Sequence, residues 1–363
     1  MEGMMVKTPT TTQKQEPKPK RVATLVGCNY AGTPHELRGC INDVHAMRDL
    51  LVARFGFAPA DITVLTDDDA DAGGNNKVML PTGANIKRAL SDMVARAAAP
   101  GDVLFFHYSG HGTLVPPVMP DHRGRERYDE AIVPCDFNLI TDVDFRRVVD
   151  RVPRGASLTM VSDSCHSGGL IDNEKEQIGP SATVDDDDDD LGPPKPASRA
   201  TTRARFIPYA ALVGHLAGSS GLHASHHAAD HLLALFGADA SAKWFNNHRR
   251  HGSEPAAPSL DDEGILLSGC QTDETSADVV PEEEEEDDEK KKACGAFSSA
   301  VQAVLAAHPA AALSNREVVR GARAVLSEQG FDQHPCLYCS DGNADKPFLC
   351  QQQGAAKEQD DEN

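Results

Sequence analysis

A histidine and a cysteine, each set among small residues just after an apolar run, are the residues of this chain best equipped for covalent chemistry. His111 lies in His107-Tyr108-Ser109-Gly110-His111-Gly112, and Cys165 in Ser162-Asp163-Ser164-Cys165-His166-Ser167-Gly168-Gly169. A thiol attacks a carbonyl carbon as thiolate, and its ordinary pKa of about 8.5 falls beside an imidazole. His111 has the chemistry to take a proton from Cys165 or from water and to protonate a leaving amine. Gly112 leaves the amide beside His111 open. With the Cys165 amide it would hold a developing oxyanion, each donor contributing about 3 kcal/mol. A lone free cysteine is more often a core residue, but the two residues together predict a cysteine hydrolase. His166, next to Cys165, is expected to project to the other side.

Such a pair works only if the fold delivers both groups to one place. Val103 to Phe106 precedes the histidine and Leu158 to Val161 the cysteine, and both runs read as buried strands. Parallel strands in an open α/β sheet present their carboxyl ends as a common edge, where sites form. Further strands are expected at Val22 to Val26, Ile62 to Leu65, Ala131 to Val133, Gly264 to Ser268 and Pro335 to Cys339. Helices are expected over Asn42 to Phe55, Asn85 to Ala98 behind a Thr82 cap, and Phe297 to Ala307. Thr141 with Asp144 opens a helix running through Val149, and Ser314 with Glu317 one running to Gln329, each as a capping box. This alternation predicts an α/β fold with a mostly parallel central sheet and helices on both faces.

The segments then divide as residues 1–20, a disordered arm; 21–179, the catalytic region; 180–263, a linker; 264–355, which completes the sheet and carries an acidic loop at 281–292; and 356–363, a tail. Gly179 to Ala204, with six consecutive aspartates, prolines and several arginines, is too polar for a core and is expected to be irregular. Short helices are expected around Leu232 to Phe236. The histidines between His215 and His251 lack ligand spacing and are expected on a loop surface.

The 363 residues carry a net charge of −21, which argues against a nucleic-acid binder, since phosphate contacts need a basic surface. Much of that charge lies in Asp185 to Asp190 and Glu282 to Glu289. Nine cysteines, an odd number without small-domain spacing, favour free thiols and a reducing compartment. With no signal-peptide pattern and no apolar run near 18 residues, a cytoplasmic location is expected, a nuclear one being open.

Several ordered blocks resemble the type II metacaspases, caspase-like cysteine proteases of plants and algae. They are Leu-Val-Gly-Cys-Asn-Tyr (25–30), Glu-Leu-Arg-Gly-Cys-Ile-Asn-Asp-Val (36–44), His-Tyr-Ser-Gly-His-Gly-Thr (107–113) and Asp-Glu-Ala-Ile-Val-Pro-Cys-Asp (129–136). Asp-Ser-Cys-His-Ser-Gly-Gly-Leu-Ile-Asp (163–172), Gly-Cys-Gln-Thr-Asp-Glu-Thr-Ser-Ala-Asp (269–278) and His-Pro-Cys-Leu-Tyr-Cys-Ser-Asp (334–341) complete the set. The long central linker is what resembles type II rather than type I. The resemblance implies a caspase-like fold, Cys165 as nucleophile and His111 as base. It also implies cleavage of proteins after Arg or Lys through an acidic pocket whose matching positions are Asp43 and Asp163, supported by Cys40. A carboxylate pocket suits a guanidinium on physical grounds too, as a charge-assisted pair.

The resemblance further implies a zymogen that cuts its own linker, for which Arg205 before Phe206-Ile207-Pro208 is the best candidate, with Arg203 and Arg199 as alternatives. It implies a largely monomeric enzyme. Calcium, needed by many relatives, would fall to Asp136, Asp142 and Asp172; Val143 stands where calcium-dependent members carry another aspartate. Calcium prefers six to eight oxygens, so weak or dispensable calcium dependence is expected, and no other cofactor. Cys28 matches an auxiliary thiol position, though a buried strand-end cysteine is the plainer reading. Cys336 and Cys339 form a CxxC without the second pair a zinc site needs, and Cys294 and Cys350 carry no functional argument. The competing readings are an interaction protein that keeps the fold and works through its acidic tracts, and a redox or metal module at the CxxC.

Overall fold

Parallel strands bury both faces and therefore need apolar residues on both sides, which is how the strongest runs of this chain behave. The computed structural model describes residues 18–68, 79–116, 128–171, 175–179, 200–246, 264–271, 274–281 and 292–350. Strand β1 (Arg21–Gly27) is buried beyond its first residue. It is followed by α1 (Cys40–Phe55), which ends at Gly56 with φ 67°, the left-handed turn-off that glycine makes without strain. Next come β2 (Ile62–Thr66) and α2 (Gly83–Arg96), where the Thr82 hydroxyl accepts the Asn85 amide. Strand β3 (Val103–Ser109) is wholly buried. Strands β4 (Gly112–Val115), β5 (Asp129–Ile132) and β6 (Ile140–Thr141) make a small antiparallel sheet. Helix α3 (Asp142–Val149) opens with the expected Thr141/Asp144 capping box and leads to β7 (Ser157–Asp163).

The second half contributes β8 (Glu176–Ile178), β9 (Ala200–Ala204), α4 (Tyr209–Ser220), α5 (Ala228–Phe236) and α6 (Ala242–Asn246). It continues with β10 (Gly264–Ser268), β11 (Ala277–Pro281), β12 (Cys294–Gly295), α7 (Ala296–Ala307), α8 (Asn315–Glu328) and β13 (Cys336–Cys339). The Ser314/Glu317 capping box of α8 is present.

The central sheet runs β2-β1-β3-β7-β10-β13-β8. Its first five strands are parallel, and β13 lies antiparallel to β10 and β8 to β13. Core forms on both faces: Leu90, Phe106, Phe145 and Met160 on one, Met47, Phe105, Phe297 and Val319 on the other. The expected α/β architecture is therefore the observed one.

Two local expectations are corrected. Ala200 to Ala204, read as part of an irregular stretch, is a strand, because its backbone pairs with β11 although Thr201 to Ala204 are exposed. The histidines are not all on loop surface. His215 on α4 stacks on Phe137 at 3.7 Å, and His231 on α5 is fully buried between Ser220 and the Ser225 carbonyl. The helices after Phe206 do have a core, with Leu212, Leu216, Leu232 and Trp244 joining the first cluster. The acidic tracts, Arg199, and the terminal segments 1–17 and 351–363 lie outside the described residues.

Candidate active site

Strands β3 and β7 are neighbours in register, with Ser109 opposite Asp163. His111 and Cys165 each lie two residues past that pair, so the sheet brings them to one edge. Cys165 is fully buried, and the Ser276 N–H donates to its Sγ at 3.0 Å. His111 is 4% exposed. Its Nε2 lies 2.7 Å from the His35 carbonyl oxygen, which can only accept, so Nε2 carries the hydrogen. The lone pair is then on Nδ1, which is buried without a hydrogen-bond partner among the described residues. Burial pushes the His111 pKa down to about 4, so the ring is neutral at pH 7. Tyr30 fixes it further: its hydroxyl accepts the His111 N–H at 3.0 Å, and its ring lies 4.8 Å from the imidazole.

The cleft is filled by the chain itself. The Arg205 carbonyl oxygen accepts the N–H of Gly112 at 3.0 Å and that of Cys165 at 3.3 Å, the two donors expected to hold an oxyanion. Its guanidinium is fully buried among three carboxylates: Asp43 and Asp278 at 3.0 Å and Asp163 at 3.4 Å. The Ser109 hydroxyl adds a contact at 2.7 Å. Burial raises the Asp43 pKa to about 6 against the pull of Arg205. Burial alone would lower the Arg205 pKa, but Asp163 and the other anionic neighbours outweigh it and hold it well above its ordinary value. Backbone donors support the pocket: Gly295 to Asp43, Ser298 to Asp163, and Arg38 and Gly39 to Asp278.

On either side of Arg205 the backbone is held in extended pairing. Strand β9 is antiparallel to β11, and the Arg205 N–H reaches the Ser276 carbonyl at 2.9 Å. Beyond it, the Ile207 N–H donates to the Gly112 carbonyl at 3.0 Å and the Thr113 hydroxyl to the Ile207 carbonyl at 2.8 Å. The Phe206 ring meets His166 edge-on at 4.7 Å. A Cβ on Gly112 would overlap the Cys165 carbonyl oxygen, so only glycine fits there.

His111, Gly112, Cys165, Asp43, Asp163 and Arg205 therefore converge, and Cys40 lies buried at the start of α1 one turn before Asp43. Asp278, Ser276 and His35 belong to the same site and escaped the sequence reading. Each acts through burial or backbone geometry that no local spacing announces. Arg203 points away, its guanidinium on the Glu36 carbonyl at 2.8 Å.

Of the three calcium positions, the two that lie among the described residues are already engaged. Asp136 Oδ1 already accepts the Gly83 and Asn138 amides. The Lys243 ammonium contacts Asp129 and sits 3.7 Å from Asp142, supplying positive charge where a cation would need free oxygens. Asp172 lies outside the described residues. Among the described residues no group of three metal-ligating side chains occurs, the CxxC of β13 included. Cys28 is fully buried, and that burial raises its pKa well above the usual thiol range. Burial also raises the half-buried Cys294, to about 11.

The family profile described as "Metacaspase, peptidase C14 domain" matches residues 20–174. Metacaspase-9 of Arabidopsis thaliana is 50% identical over 345 residues, covering 92% of this chain and 97% of that protein. Metacaspase-6 of the same plant is 38% identical, covering 90% and 99%. A solved structure of a Geobacter sulfurreducens protein superposes with a TM-score of 0.54 at 18% identity, covering 91% of this chain and 98% of that one, which shows the shared fold.

Proposed function

Because the chain belongs to the metacaspase family of cysteine-type peptidases, we propose that it is a type II member that cuts proteins after Arg, and secondarily Lys, and that processes its own linker after Arg205. The single observation that carries this reading is Arg205, whose side chain fills a three-carboxylate pocket while its carbonyl sits on the Gly112 and Cys165 amides. That is the posture of a residue about to be cut.

In the proposed mechanism His111 Nδ1 takes the Cys165 proton and the sulfur adds to the Arg205 carbonyl carbon. The Gly112 and Cys165 amides receive the negative charge as it develops. His111 then protonates the departing Phe206 nitrogen, and water, deprotonated by His111, releases the acyl group from sulfur. The His35 carbonyl holds the imidazole in the tautomer that this sequence requires. External substrates would follow the path of β9, pairing through their backbones with β11 and placing Arg in the same pocket. Lysine would reach the carboxylates with a point charge only, without the fork that meets several at once. The donor set around Asp136 and Asp142 supports activity without calcium. No described helix is long and apolar enough to cross a membrane.

The test is hydrolysis of a fluorogenic Arg-ended peptide by the autoprocessed protein and by Cys165→Ala, with mass spectrometry of the linker. Turnover by wild type alone, with a new terminus at Phe206, supports the reading. An inert wild type with an intact linker at every pH between 5 and 8 would sink it.

A further inference from the structure

The two sides of the Arg205–Phe206 junction are anchored independently of the bond that joins them. On one side Ala200 to Ala204 pair with Pro281 to Ala277, and the Arg205 guanidinium is locked among Asp43, Asp163 and Asp278. On the other side Ile207 is fully buried, hydrogen-bonded through its N–H to Gly112 and through its carbonyl to Thr113. Helix α4 begins two residues later, and its Leu212 and Leu216 are buried in the core with Leu232 and Trp244 of the next helices. Breaking the bond removes none of these contacts. The freed Phe206 amine is the nitrogen of a residue whose immediate successor is immobilised in the protein interior. Water has to reach the same carbon through a site where Cys165 is fully buried and His111 nearly so.

From this geometry we infer that the enzyme is also a peptide ligase toward its own linker: the Arg205–Phe206 junction is resealable from the two-chain form, Cys165 taking up the Arg205 carboxyl again and passing the acyl group to the held Phe206 amine. The inference rests on the proposed cleavage after Arg205. In the resealing step the neutral Phe206 amine adds to the thioester carbonyl and passes one proton to His111. The C–S bond breaks, and the thiolate leaving Cys165 recovers a proton from His111. Starting from the two-chain form, Cys165 first condenses with the protonated Arg205 carboxyl and releases water. The sum is one carboxyl and one amine giving one amide and one water, with no oxidant, reductant or nucleotide consumed. What drives it is proximity: groups held by the fold react as one molecule, at effective concentrations that bulk reactants do not reach.

Heavy-oxygen water gives the test. The full-length wild type is allowed to autocleave in it, and the peptide spanning residues 205 and 206 is isolated from the remaining single-chain protein. Label in the Arg205 amide carbonyl arises only if that bond was hydrolysed and then remade. The expected result is a persistent single-chain fraction that acquires one heavy oxygen at Arg205 over time. Leu216→Ala, which loosens α4, and Thr113→Val, which removes the bond to the Ile207 carbonyl, are each expected to lower that label severalfold. Complete conversion to two chains, or a residual single chain that stays unlabelled, overturns resealing. Undiminished label in both variants overturns anchoring as its cause. If no two-chain form appears at all, it is the cleavage reading that fails.

Discussion

At the scale of single residues the site is governed by desolvation. His111 is neutral because burial penalises the imidazolium, and its folded pKa of about 4 lies below the ordinary 6.5. A base with a lowered pKa stays unprotonated further into acid. The first cut of the linker should therefore keep its rate from neutral pH down to about 5 and lose it only as pH approaches 4. Single-turnover autocleavage followed by gel across that range checks this, and an acid limb centred near 6.5 would contradict it. In the carboxylate pocket around Arg205, Asp278 shares one guanidinium nitrogen with Asp43. Truncating one partner of a buried charged hydrogen bond costs about 2–5 kcal/mol. Asp278→Asn is accordingly expected to lower kcat/KM for Arg-ended peptides by about 30-fold or more, with the loss smaller for Lys-ended ones. Equal loss for both would show that Asp278 supports the fold rather than the fork. Gly112→Ala should abolish the first cut, because the methyl overlaps the Cys165 carbonyl.

At the scale of elements, what the sequence made legible was whatever local pattern encodes. The apolar runs of β3 and β7 pointed to His111 and Cys165, and the Thr141/Asp144 and Ser314/Glu317 boxes marked two helix starts. Strand β9 was hidden because Ala-Thr-Thr-Arg-Ala carries no apolar alternation; it is a strand through backbone pairing with β11 alone. Asp278 was hidden because an isolated acid reads as surface until a fold buries it. His215 was misread for the converse reason, since its stack on Phe137 needs two distant elements to meet. Lysine 243 is another such tertiary fact: α6 is held to α3 and β5 by its ammonium between Asp142 and Asp129, all three partly buried. Lys243→Met keeps the stem and deletes the positive charge that Asp129 and Asp142 both face. It should lower stability by about 1–3 kcal/mol, read as a shifted urea midpoint with unchanged slope in a Cys165→Ala background. In the same assay calcium or a chelator should leave the wild-type Lys243 protein unmoved.

At the scale of the whole molecule the linker is a structural part as well as the proposed substrate, since Arg205 brings one cation against three buried acids that come from α1, β7 and β11. One guanidinium thus ties the first strand-helix unit, the cysteine strand and the carboxyl-terminal third together. Removing it should destabilise the uncut protein by about 3–5 kcal/mol, the cost of leaving buried charge without its partner. The cost must depend on pH, and the sign follows from Asp43. Its folded pKa of about 6 exceeds the ordinary 3.8, burial being the larger cause and Arg205 the opposing one. A group raised on folding contributes stability that is complete below about 3.8 and is lost as pH rises through 6. Without the guanidinium the opposition disappears and the loss steepens. His111, lowered on folding, has the reverse sign; burial is the main cause and is common to both proteins, Arg205 adding a smaller part that the variant loses. Arg205→Gln in a Cys165→Ala background should therefore melt close to its parent at pH 4.5 and well below it at pH 8. A deficit of equal size at both pH values would mean that the three carboxylates are not held as a charged set by Arg205.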